Sequence, residues 1–490
     1  MKRRSYMKRS AREKRIKNTM RIRLNRSYTA KEIATVTGGH TDAGCMVDHL
    51  TTDSREVREG DLFVALRGEH ADGNAYLSKA MASGASLLLC EGQDDFPSGC
   101  IAVPDAWAAL AALAKHARDE IRPTVIAITG STGKTTTKNM VSAVLESSFQ
   151  THKTACNQNN LLGLCLTLLS MPPKTEMLVV EMGMNHAGEI AMLSRLASPD
   201  VAVITNVGHA HVGNLGSRER IADAKCEIFL GCAPGALCLF PADEKLIEER
   251  LPRGLTAMRT GESEACDCSF KNLTLGGNTT VADFTCHAVR HAAVSLPGCG
   301  RHLAQDATYA IAIGQTFGVP QAKIRRALAT VQNDGMRQEL MRKNGITVIV
   351  DCYNASPESM RAAADTLMSM AKEKNGRSLA LLGDMLELGE ETRLLHEQVG
   401  EYYAKSGVSF LFTLGAAAEN IATGARRQGL ASSRIFSNPD PTDKQASAAQ
   451  INRILRPRDV LLIKASRALA AEEILYLLET DTPRTEEAKP

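Results

Sequence analysis

The feature that most constrains the fold is a buried-strand run followed directly by a glycine-rich loop and a helix pattern. Residues 124–129 read Thr-Val-Ile-Ala-Ile-Thr, residues 130–136 read Gly-Ser-Thr-Gly-Lys-Thr-Thr, and a helical pattern begins at Lys134. A strand, a glycine turn and a helix N-terminus in this order are the setting of a phosphate-binding loop. The sequence therefore predicts α/β organisation around a largely parallel sheet.

The residues of this phosphate loop suit a nucleotide. Glycines let backbone amides approach phosphate oxygens, and the helix N-terminus adds partial positive charge. Lys134 is predicted to reach the β- and γ-phosphates and the Thr135 hydroxyl to hold Mg²⁺. The common G-x-x-x-x-G-K-T spacing would place its first glycine at Ile128, so only G-x-x-G-K-T remains. A glycine-rich turn with an exposed lysine is the alternative. The predicted nucleotide-binding residues are Gly130, Ser131, Thr132, Gly133, Lys134, Thr135 and Thr136.

The length of 490 residues requires more than one hydrophobic core, because cores stop growing at roughly 250–300 residues. Strand-like runs at 177–181 and 201–205 continue the central block, and residues 236–300 are more β-like. A second α/β unit begins near Gly335, with strand-like runs at 346–351, 379–382, 410–414 and 460–463 and a helical segment at 357–372. We predict a basic extension (1–19) and three domains. These are an N-terminal α/β domain (20–122), a central phosphate-loop domain with a mostly parallel sheet (123–334) and a C-terminal Rossmann-like α/β domain (335–490).

Composition excludes several classes of protein. Hydrophobic residues at 44% and charged residues at 23% are ordinary globular values, which exclude a disordered chain or a fibre. No apolar stretch approaches the roughly 18 residues of a membrane helix. The thirteen cysteines are scattered without a C-x-x-C pair. We therefore expect buried thiols rather than a metal cluster or disulfide framework, and a cytoplasmic location.

The first 26 residues are strongly basic. They contain twelve Lys and Arg and one acidic residue, Glu13, whereas the rest of the chain is net acidic. Such an arm suits nucleic acid or an anionic membrane surface. A solvated tail, or a true start near Met20, are the plainer interpretations, and no apolar run makes the arm a secretory signal. We expect no nucleic-acid partner.

The phosphate loop is similar to that of the Mur ligases and folylpolyglutamate synthetases, which form amide bonds. Other segments, from about residue 20 to 475, resemble the D-alanyl-D-alanine-adding branch of the Mur ligases. The string Gly-Asp-Met-Leu-Glu-Leu-Gly at 383–389 is particular to that branch. The remaining segments that carry the resemblance are 51–55, 60–68, 72–73, 157–163, 181–184, 206–211, 216–217, 225–229, 351–357 and 464–467.

The resemblance implies ATP-dependent joining of D-alanyl-D-alanine to UDP-N-acetylmuramoyl-tripeptide through an acyl phosphate, for peptidoglycan synthesis. It implies ATP and Mg²⁺ as cofactors, and we expect a monomer. Another Mur-type ligase, adding a diamino acid or glutamate, is the alternative.

The resemblance also implies a metal site and catalytic residues. Glu181 closes a strand, where its carboxylate can face the phosphate loop. His211 is favoured over His209 because it matches the ligand position of the family. Lys225 corresponds to a lysine that is carbamylated in the family, which requires a neutral amine. A salt bridge, an ordinary loop histidine and an unmodified helix lysine are the respective alternatives. Predicted catalytic residues are Lys134, Lys225 and His211, and predicted metal ligands are Thr135, Glu181, His211 and carbamylated Lys225.

Substrate contacts follow from the same resemblance. Arg337 would touch phosphate and Asp351 a ribose hydroxyl, unless they form an interdomain salt bridge. Asp306 stands where the family usually has an asparagine that contacts adenine, which puts that contact in doubt. Ser54 and Arg55 would bind the UDP moiety, or else cap a helix. The other predicted substrate-binding residues are Asn159, Asn160, Tyr353, Asn354, Ser466 and Arg467.

Overall fold

The computed structural model describes residues 20–68, 71–92, 97–276, 278–332, 335–343 and 345–478. These residues form three sheets, one after another along the chain. The predicted extension (1–19) lies outside the described residues. In the described part of the chain, no helix has both the length and the apolar character needed to cross a membrane.

The N-terminal domain is a five-stranded sheet with helices. Its strands are β1 (Ile22–Thr29), β2 (Met46–Thr51), β3 (Leu62–Val64), β4 (Leu87–Glu91) and β5 (Cys100–Val103). Its helices are α1 (Ala30–Thr37), α2 (Leu77–Ala82) and α3 (Ala106–Ile121), with a 3-10 turn at Gly73–Tyr76. The strands lie in chain order, with β1 antiparallel to β2 and the others parallel. Helix α1 begins at a capping box between Thr29 and Glu32, and Asp105 caps α3.

The central domain is built on a nine-stranded sheet. Its strands are β6 (Thr124–Thr129), β7 (Thr151–Lys153), β8 (Met177–Glu181), β9 (Val201–Ile204), β10 (Leu237–Pro241), β11 (Thr256–Gly261), β12 (Cys268–Gly276), β13 (Thr279–Cys286) and β14 (Val289–Pro297). Its helices are α4 (Lys134–Glu146), α5 (Leu161–Leu169), α6 (Glu189–Ala197), α7 (Val212–Leu215), α8 (Arg218–Cys226), α9 (Lys245–Glu248), α10 (Arg301–Thr316) and α11 (Gln321–Thr330), with a 3-10 turn at Glu227–Gly231. The sheet order is β14-β13-β12-β11-β10-β9-β6-β8-β7, and only the β12–β13 and β13–β14 pairs are antiparallel.

The C-terminal domain has a six-stranded sheet. Its strands are β15 (Glu339–Lys343), β16 (Ile346–Asp351), β17 (Ser378–Gly383), β18 (Phe410–Leu414), β19 (Ile435–Asn438) and β20 (Val460–Lys464). Its helices are α12 (Pro357–Glu373), α13 (Thr392–Lys405), α14 (Glu419–Arg427), α15 (Lys444–Ile454) and α16 (Ile474–Leu477), with 3-10 turns at Gly389–Glu391, Ser432–Arg434, Arg467–Leu469 and Ala471–Glu473. The order is β15-β16-β20-β17-β18-β19, and only β15–β16 is antiparallel.

The predicted three-domain α/β fold is confirmed, and its strands place the site. Strands β6, β8 and β9 are neighbours in the central sheet, so their carboxyl ends meet at one edge. Strand β9 ends at Ile204, one residue earlier than predicted, and the hydroxyl of the next residue, Thr205, donates a hydrogen bond to the carbonyl of Thr132 in the phosphate loop. The boundaries predicted at 122/123 and 334/335 fall between the sheets and stay predictions.

Candidate active site

The phosphate loop, residues 130–136, leaves the end of β6 and runs into α4. Gly130 has φ 148° and Gly133 has φ 81°. A β-carbon at Gly130 would overlap the Thr205 hydroxyl, and one at Gly133 would lie 2.8 Å from Oδ1 of Asp306. Both glycines are therefore required by conformation and by close packing. The first-turn amides of α4 have no intrahelical partner and are available to an anion.

A second loop, residues 205–211 after β9, holds the phosphate loop in shape, and we call it the bridging loop. The Asn206 side chain accepts a 3.0 Å hydrogen bond from the Thr132 amide and donates a 2.8 Å bond to the Thr132 hydroxyl. The Gly208 amide donates to Oγ of Ser131 over 2.9 Å. Asn206 therefore positions the phosphate loop, and it was not among the site residues predicted from the sequence, although it lies in a segment that carries the family resemblance.

Lys134 lies among other charged groups. Its ammonium donates a 2.7 Å hydrogen bond to the Gly130 carbonyl. Burial lowers the pKa of Lys134, the Glu181 carboxylate opposes that shift, and the positive charge of Arg337 adds to it. The Arg337 guanidinium stacks 3.8 Å over the Tyr353 ring, and its buried Nε has no hydrogen-bond partner among the described residues. A lysine and an arginine beside the first-turn amides of α4 suit an anion.

The Glu181 carboxylate is held beside the loop by three groups. The Thr135 hydroxyl donates to its Oε2 over 3.0 Å, and the Asn159 amide donates to Oε1 over 3.0 Å. The Lys138 ammonium lies 3.4 Å from Oε2, and both charged side chains are about 2% exposed. Lys138 was not among the site residues predicted from the sequence. Its spacing could have indicated it, since Lys138 follows Lys134 by one helical turn and therefore lies on the same face of α4.

The donor set fits a hard cation at Thr135 and Glu181, because magnesium prefers carboxylate and hydroxyl oxygens with phosphate and water. The described residues bring no three His, Cys, Asp or Glu side chains together as a metal-binding group. The structure thus joins Thr135 to Glu181, whereas Nδ1 of His211 lies 2.6 Å from a Glu387 carboxylate oxygen. Metal binding by His211 and by carbamylated Lys225 stays a prediction.

Lys225 lies near the end of α8 and is 1% exposed. Within the described residues it forms neither a hydrogen bond nor an ion pair. Burial lowers its pKa well below the ordinary value, and the positive charge of Lys134 lowers it further. This shift increases the fraction of Lys225 that carries a neutral amine.

Two histidines of the bridging loop each meet a carboxylate of the C-terminal domain. Nδ1 of His209 lies 2.6 Å from Oε1 of Glu358, which also accepts the His209 amide over 3.0 Å. This hydrogen bond raises the pKa of His209 despite partial burial. The His211 imidazole lowers the pKa of Glu387. The bridging loop therefore connects the phosphate loop to the C-terminal domain.

Asp306 lies behind the phosphate loop rather than in an open position. Its side chain comes from α10, is 4% exposed and packs toward Gly133. Burial raises its pKa to about 8, so the carboxyl group is largely protonated at pH 7. A neutral carboxyl at this position can still donate a hydrogen bond.

The predicted contacts of the C-terminal domain are only partly brought together. Asp351 forms a 2.8 Å ion pair with the buried Lys464 of its own domain, and its contact with a ribose hydroxyl stays a prediction. The Lys464 ammonium also donates to the Asn354 carbonyl over 3.0 Å. Tyr353 lies under Arg337.

The end of β20 meets the segment at 383–389. Oγ of Ser466 accepts a 3.0 Å hydrogen bond from the Leu386 amide. The Arg467 guanidinium pairs with Glu472. Both side chains therefore have protein partners, and their contact with a dipeptide stays a prediction.

Three other predicted substrate-binding residues, Ser54, Arg55 and Asn160, lie earlier in the chain. Ser54 and Arg55 lie in a turn, so the helix-cap alternative is wrong for them. The Arg55 side chain is 79% exposed and pairs with Asp53 over 2.6 Å. Asn160 caps α5, since its Oδ1 accepts the Gly163 amide over 2.9 Å. Its role in substrate binding stays a prediction.

A phosphate loop lies at the carboxyl edge of a parallel sheet, and the charge of Arg337 from a second α/β domain acts on its lysine. This arrangement is typical of a multidomain α/β protein that binds a nucleotide. Comparison with family models gives the same answer. Residues 46–122 match the Mur ligase family catalytic domain, residues 128–314 the Mur ligase middle domain, and residues 336–467 the Mur ligase glutamate ligase domain. The chain belongs to the Mur ligase family.

Similar proteins within the family share one name. The UDP-N-acetylmuramoyl-tripeptide–D-alanyl-D-alanine ligase of Bacillus subtilis is 36% identical over 88% of this chain and 93% of its own. The Escherichia coli protein of that name is 30% identical over 92% and 98%. A crystal structure of MurF from Acinetobacter baumannii matches with a TM-score of 0.86 at 28% identity, over 93% and 99% of the chains. MurF ligase from Thermotoga maritima in complex with ADP matches with a TM-score of 0.78 at 30% identity, over 88% and 96%.

Proposed function

We propose that this chain is an ATP-dependent ligase that joins D-alanyl-D-alanine to UDP-N-acetylmuramoyl-tripeptide. The relatives that match nearly the whole chain carry this activity in their name, and one similar structure holds ADP. The structural observation that carries the proposal is the set of charges around the phosphate loop. Lys134 and Arg337 bring positive charge to it, and Glu181 and Thr135 supply oxygen ligands beside it.

The first step activates the acceptor carboxylate. A carboxylate oxygen of the tripeptide attacks the γ-phosphorus of ATP, the bond to the β-phosphate oxygen breaks, and ADP leaves an acyl phosphate. Such transfer depends on positioning and charge neutralisation. The loop amides and Lys134 would hold the phosphates, and Arg337 would contact them from the C-terminal domain. Held by Thr135 and Glu181, Mg²⁺ would supply further neutralisation of the phosphate charge.

The second step forms the amide bond. The free amine of D-alanyl-D-alanine attacks the acyl carbon through a tetrahedral intermediate, which expels inorganic phosphate and releases a proton. Tyr353, Asn354, Ser466 and Arg467 would position the dipeptide, and Ser54 and Arg55 the UDP end. Docking of the domains would exclude water, which protects the acyl phosphate from hydrolysis.

Lys225 would act as a carbamate rather than as a cation. Its neutral amine would add to CO₂ and lose a proton, and the product is a carbamate anion. The change converts a buried potential cation into an anion with two oxygen ligands. That anion would complete the ligand set that Glu181 and His211 begin, and it would also balance the charge of Lys134.

The deciding assay measures phosphate release from ATP with UDP-N-acetylmuramoyl-tripeptide, with and without D-alanyl-D-alanine. We expect release that requires the dipeptide. Dependence on a diamino acid or glutamate instead would favour the alternative Mur-type ligases. K134A serves as the control for chemistry at the loop, and it should lower the rate by a factor that corresponds to about 3–4 kcal/mol.

The basic arm and the cellular setting complete the proposal. We expect a monomer in the cytoplasm, where the free thiols of all thirteen cysteines stay reduced. The Met20 amide donates a 2.7 Å hydrogen bond to Glu56, so the fold is anchored from Met20 onward. Removing residues 1–19 should leave ligase activity unchanged. A loss of activity together with salt-sensitive nucleic-acid binding would favour a role for the arm.

A further inference from the structure

The bridging loop and its continuation into α7 meet a loop of the C-terminal domain, residues 384–391, which we call the junction loop. Nδ1 of His211 lies 2.6 Å from Oε2 of Glu387, and the Gly213 amide donates a 2.9 Å hydrogen bond to the Glu387 carbonyl. We propose that Glu387 is a positioning residue for the metal site, which reaches across the domain boundary to hold His211. The inference rests on the proposed role of His211 as a metal ligand.

The backbone at this contact is unusual on both sides. His211 has φ 67° and Glu387 has φ 66°, so both residues adopt the left-handed conformation that residues with a β-carbon rarely take. Such conformations persist only where the surrounding structure enforces them, and they cluster at functional sites. Here two loops in different domains each present one such residue to the other.

Two glycines permit the close approach of these loops. A β-carbon at Gly213 would lie 2.6 Å from the Gly389 amide nitrogen, and one at Gly389 would lie 2.7 Å from the Gly213 α-carbon. Any larger residue at either position would push the loops apart. The packing of the backbones therefore sets the distance between the imidazole and the carboxylate.

The chemistry of the pair explains what Glu387 would do. Nδ1 of His211 makes no hydrogen bond of standard geometry among the described residues, but a neutral imidazole carries one proton, and the negative charge of a carboxylate oxygen 2.6 Å from Nδ1 favours the tautomer with that proton on Nδ1. Nε2 then has a free lone pair, which is what a metal requires. Metal-ligating histidines commonly hold their other nitrogen against a carboxylate, which fixes the ring and raises its basicity.

The contact between His211 and Glu387 links metal binding to the docking of two domains. His211 belongs to the central domain and Glu387 to the C-terminal domain, so the ring is held only while the two domains are docked. Docking and metal binding would therefore strengthen each other, because coupling between two equilibria is reciprocal.

The neighbouring pair provides a matched control. His209 and Glu358 also join the bridging loop to the C-terminal domain, with the same 2.6 Å separation at Nδ1. Loss of Glu358 would weaken domain docking without touching His211. A comparison of E387A with E358A therefore separates a specific effect on the metal from a general effect of docking.

The experiment measures Mn²⁺ binding to the full chain by electron paramagnetic resonance, in the presence of a non-hydrolysable ATP analogue. We expect E387A to weaken Mn²⁺ binding about 10-fold to 100-fold. E387Q should lose less Mn²⁺ affinity, because its amide oxygen can still accept a hydrogen bond from the Nδ1–H group of His211. E358A should weaken Mn²⁺ binding clearly less than E387A, because it weakens docking but leaves the carboxylate beside His211 in place. The double variant H211A/E387A should bind no more weakly than H211A.

Unchanged Mn²⁺ affinity in E387A would overturn the proposal, and so would an equal loss in E358A. Thermal unfolding of each variant without metal shows whether it is folded, and an unfolded E387A is replaced by E387Q in the same comparison. The assay of dipeptide-dependent phosphate release on the wild-type chain distinguishes a failure of the proposed function from a failure of the role of Glu387. A wild type that fails that assay refutes the proposed function, whereas an active wild type with unaffected E387A refutes only the role of Glu387.

Discussion

The ammonium group of Lys138 lies 3.4 Å from the carboxylate of Glu181, with both side chains enclosed by protein. Lys138 also donates a 3.0 Å hydrogen bond to the Cys156 carbonyl. The carboxylate in turn accepts from Thr135 and Asn159. Lys138 is thus the nearest cation to a buried anion that faces the phosphate loop, and it fixes where that anion points.

Loss of Lys138 should therefore be costly. We expect K138M to lower the free energy of unfolding by about 3–5 kcal/mol, because it leaves the buried Glu181 without its cation. The pair of Lys153 and Glu146 is a suitable control, since it is exposed and separated by 2.9 Å. K153M should cost less than about 1 kcal/mol. Urea unfolding of both variants tests this, and equal losses would contradict it.

Gly133 and Gly188 allow a second comparison. Both precede a helix with left-handed backbone, at φ 81° and φ 89°, but a β-carbon at Gly188 meets nothing within 4 Å. G188A should cost only the backbone strain of about 1–2 kcal/mol. G133A adds a clash with Asp306 and should also weaken binding of an ATP analogue at least about 10-fold, because about 1.4 kcal/mol of loop distortion suffices. Calorimetric titration and thermal unfolding provide the readouts. Normal nucleotide affinity in G133A would show that the loop tolerates the β-carbon.

The phosphate loop was predictable from sequence because its signal is local. A buried strand, two glycines and a helix start occur within about a dozen residues, and each constrains the backbone directly. Glu181 was also predictable, since the end of a strand places it at the same edge of the sheet. The family resemblance added residues such as His211 and Lys225 that local patterns alone do not distinguish from ordinary ones.

The partners of these residues were not predictable in the same way. Glu387 and Glu358 reach the bridging loop from another domain, and no periodicity within one element encodes such a contact. The pairing of Asp351 with Lys464 depends on the register of β16 against β20, which places the two residues side by side. The sequence showed that Asp306 was unusual, but its burial became clear only from the packing of α10 against α4.

The buried carboxyl of Asp306 should make stability depend on pH. Its pKa is raised to about 8 by burial, so the folded state keeps a proton that the unfolded chain releases above about pH 4. Stability from this group is full below about pH 4 and is lost as pH rises toward 8. D306N cannot ionise. Its stability relative to the wild type should therefore increase between pH 5 and pH 8, by at most about 4 kcal/mol. Chemical unfolding at the two pH values measures this difference, and a difference independent of pH would refute the assignment.

The last prediction concerns the state of Lys225. Burial and the positive charge of Lys134 lower the pKa of Lys225, which favours the neutral amine that a reaction with CO₂ requires. We expect a carbamate carbon signal in the ¹³C NMR spectrum of protein equilibrated with ¹³C-bicarbonate. The signal should vanish in K225R, because arginine keeps the positive charge and forms no carbamate. K115R is the control, since Lys115 is exposed and paired with Asp119 over 2.6 Å, and it should keep the signal.

Activity should fall at least about 100-fold in K225R, a loss of about 2.7 kcal/mol in transition-state stabilisation. Removal of CO₂ from the buffer should also lower wild-type activity, and bicarbonate should restore it. Full activity in K225R would show instead that a cation at this position suffices, and that the metal site is completed by other ligands.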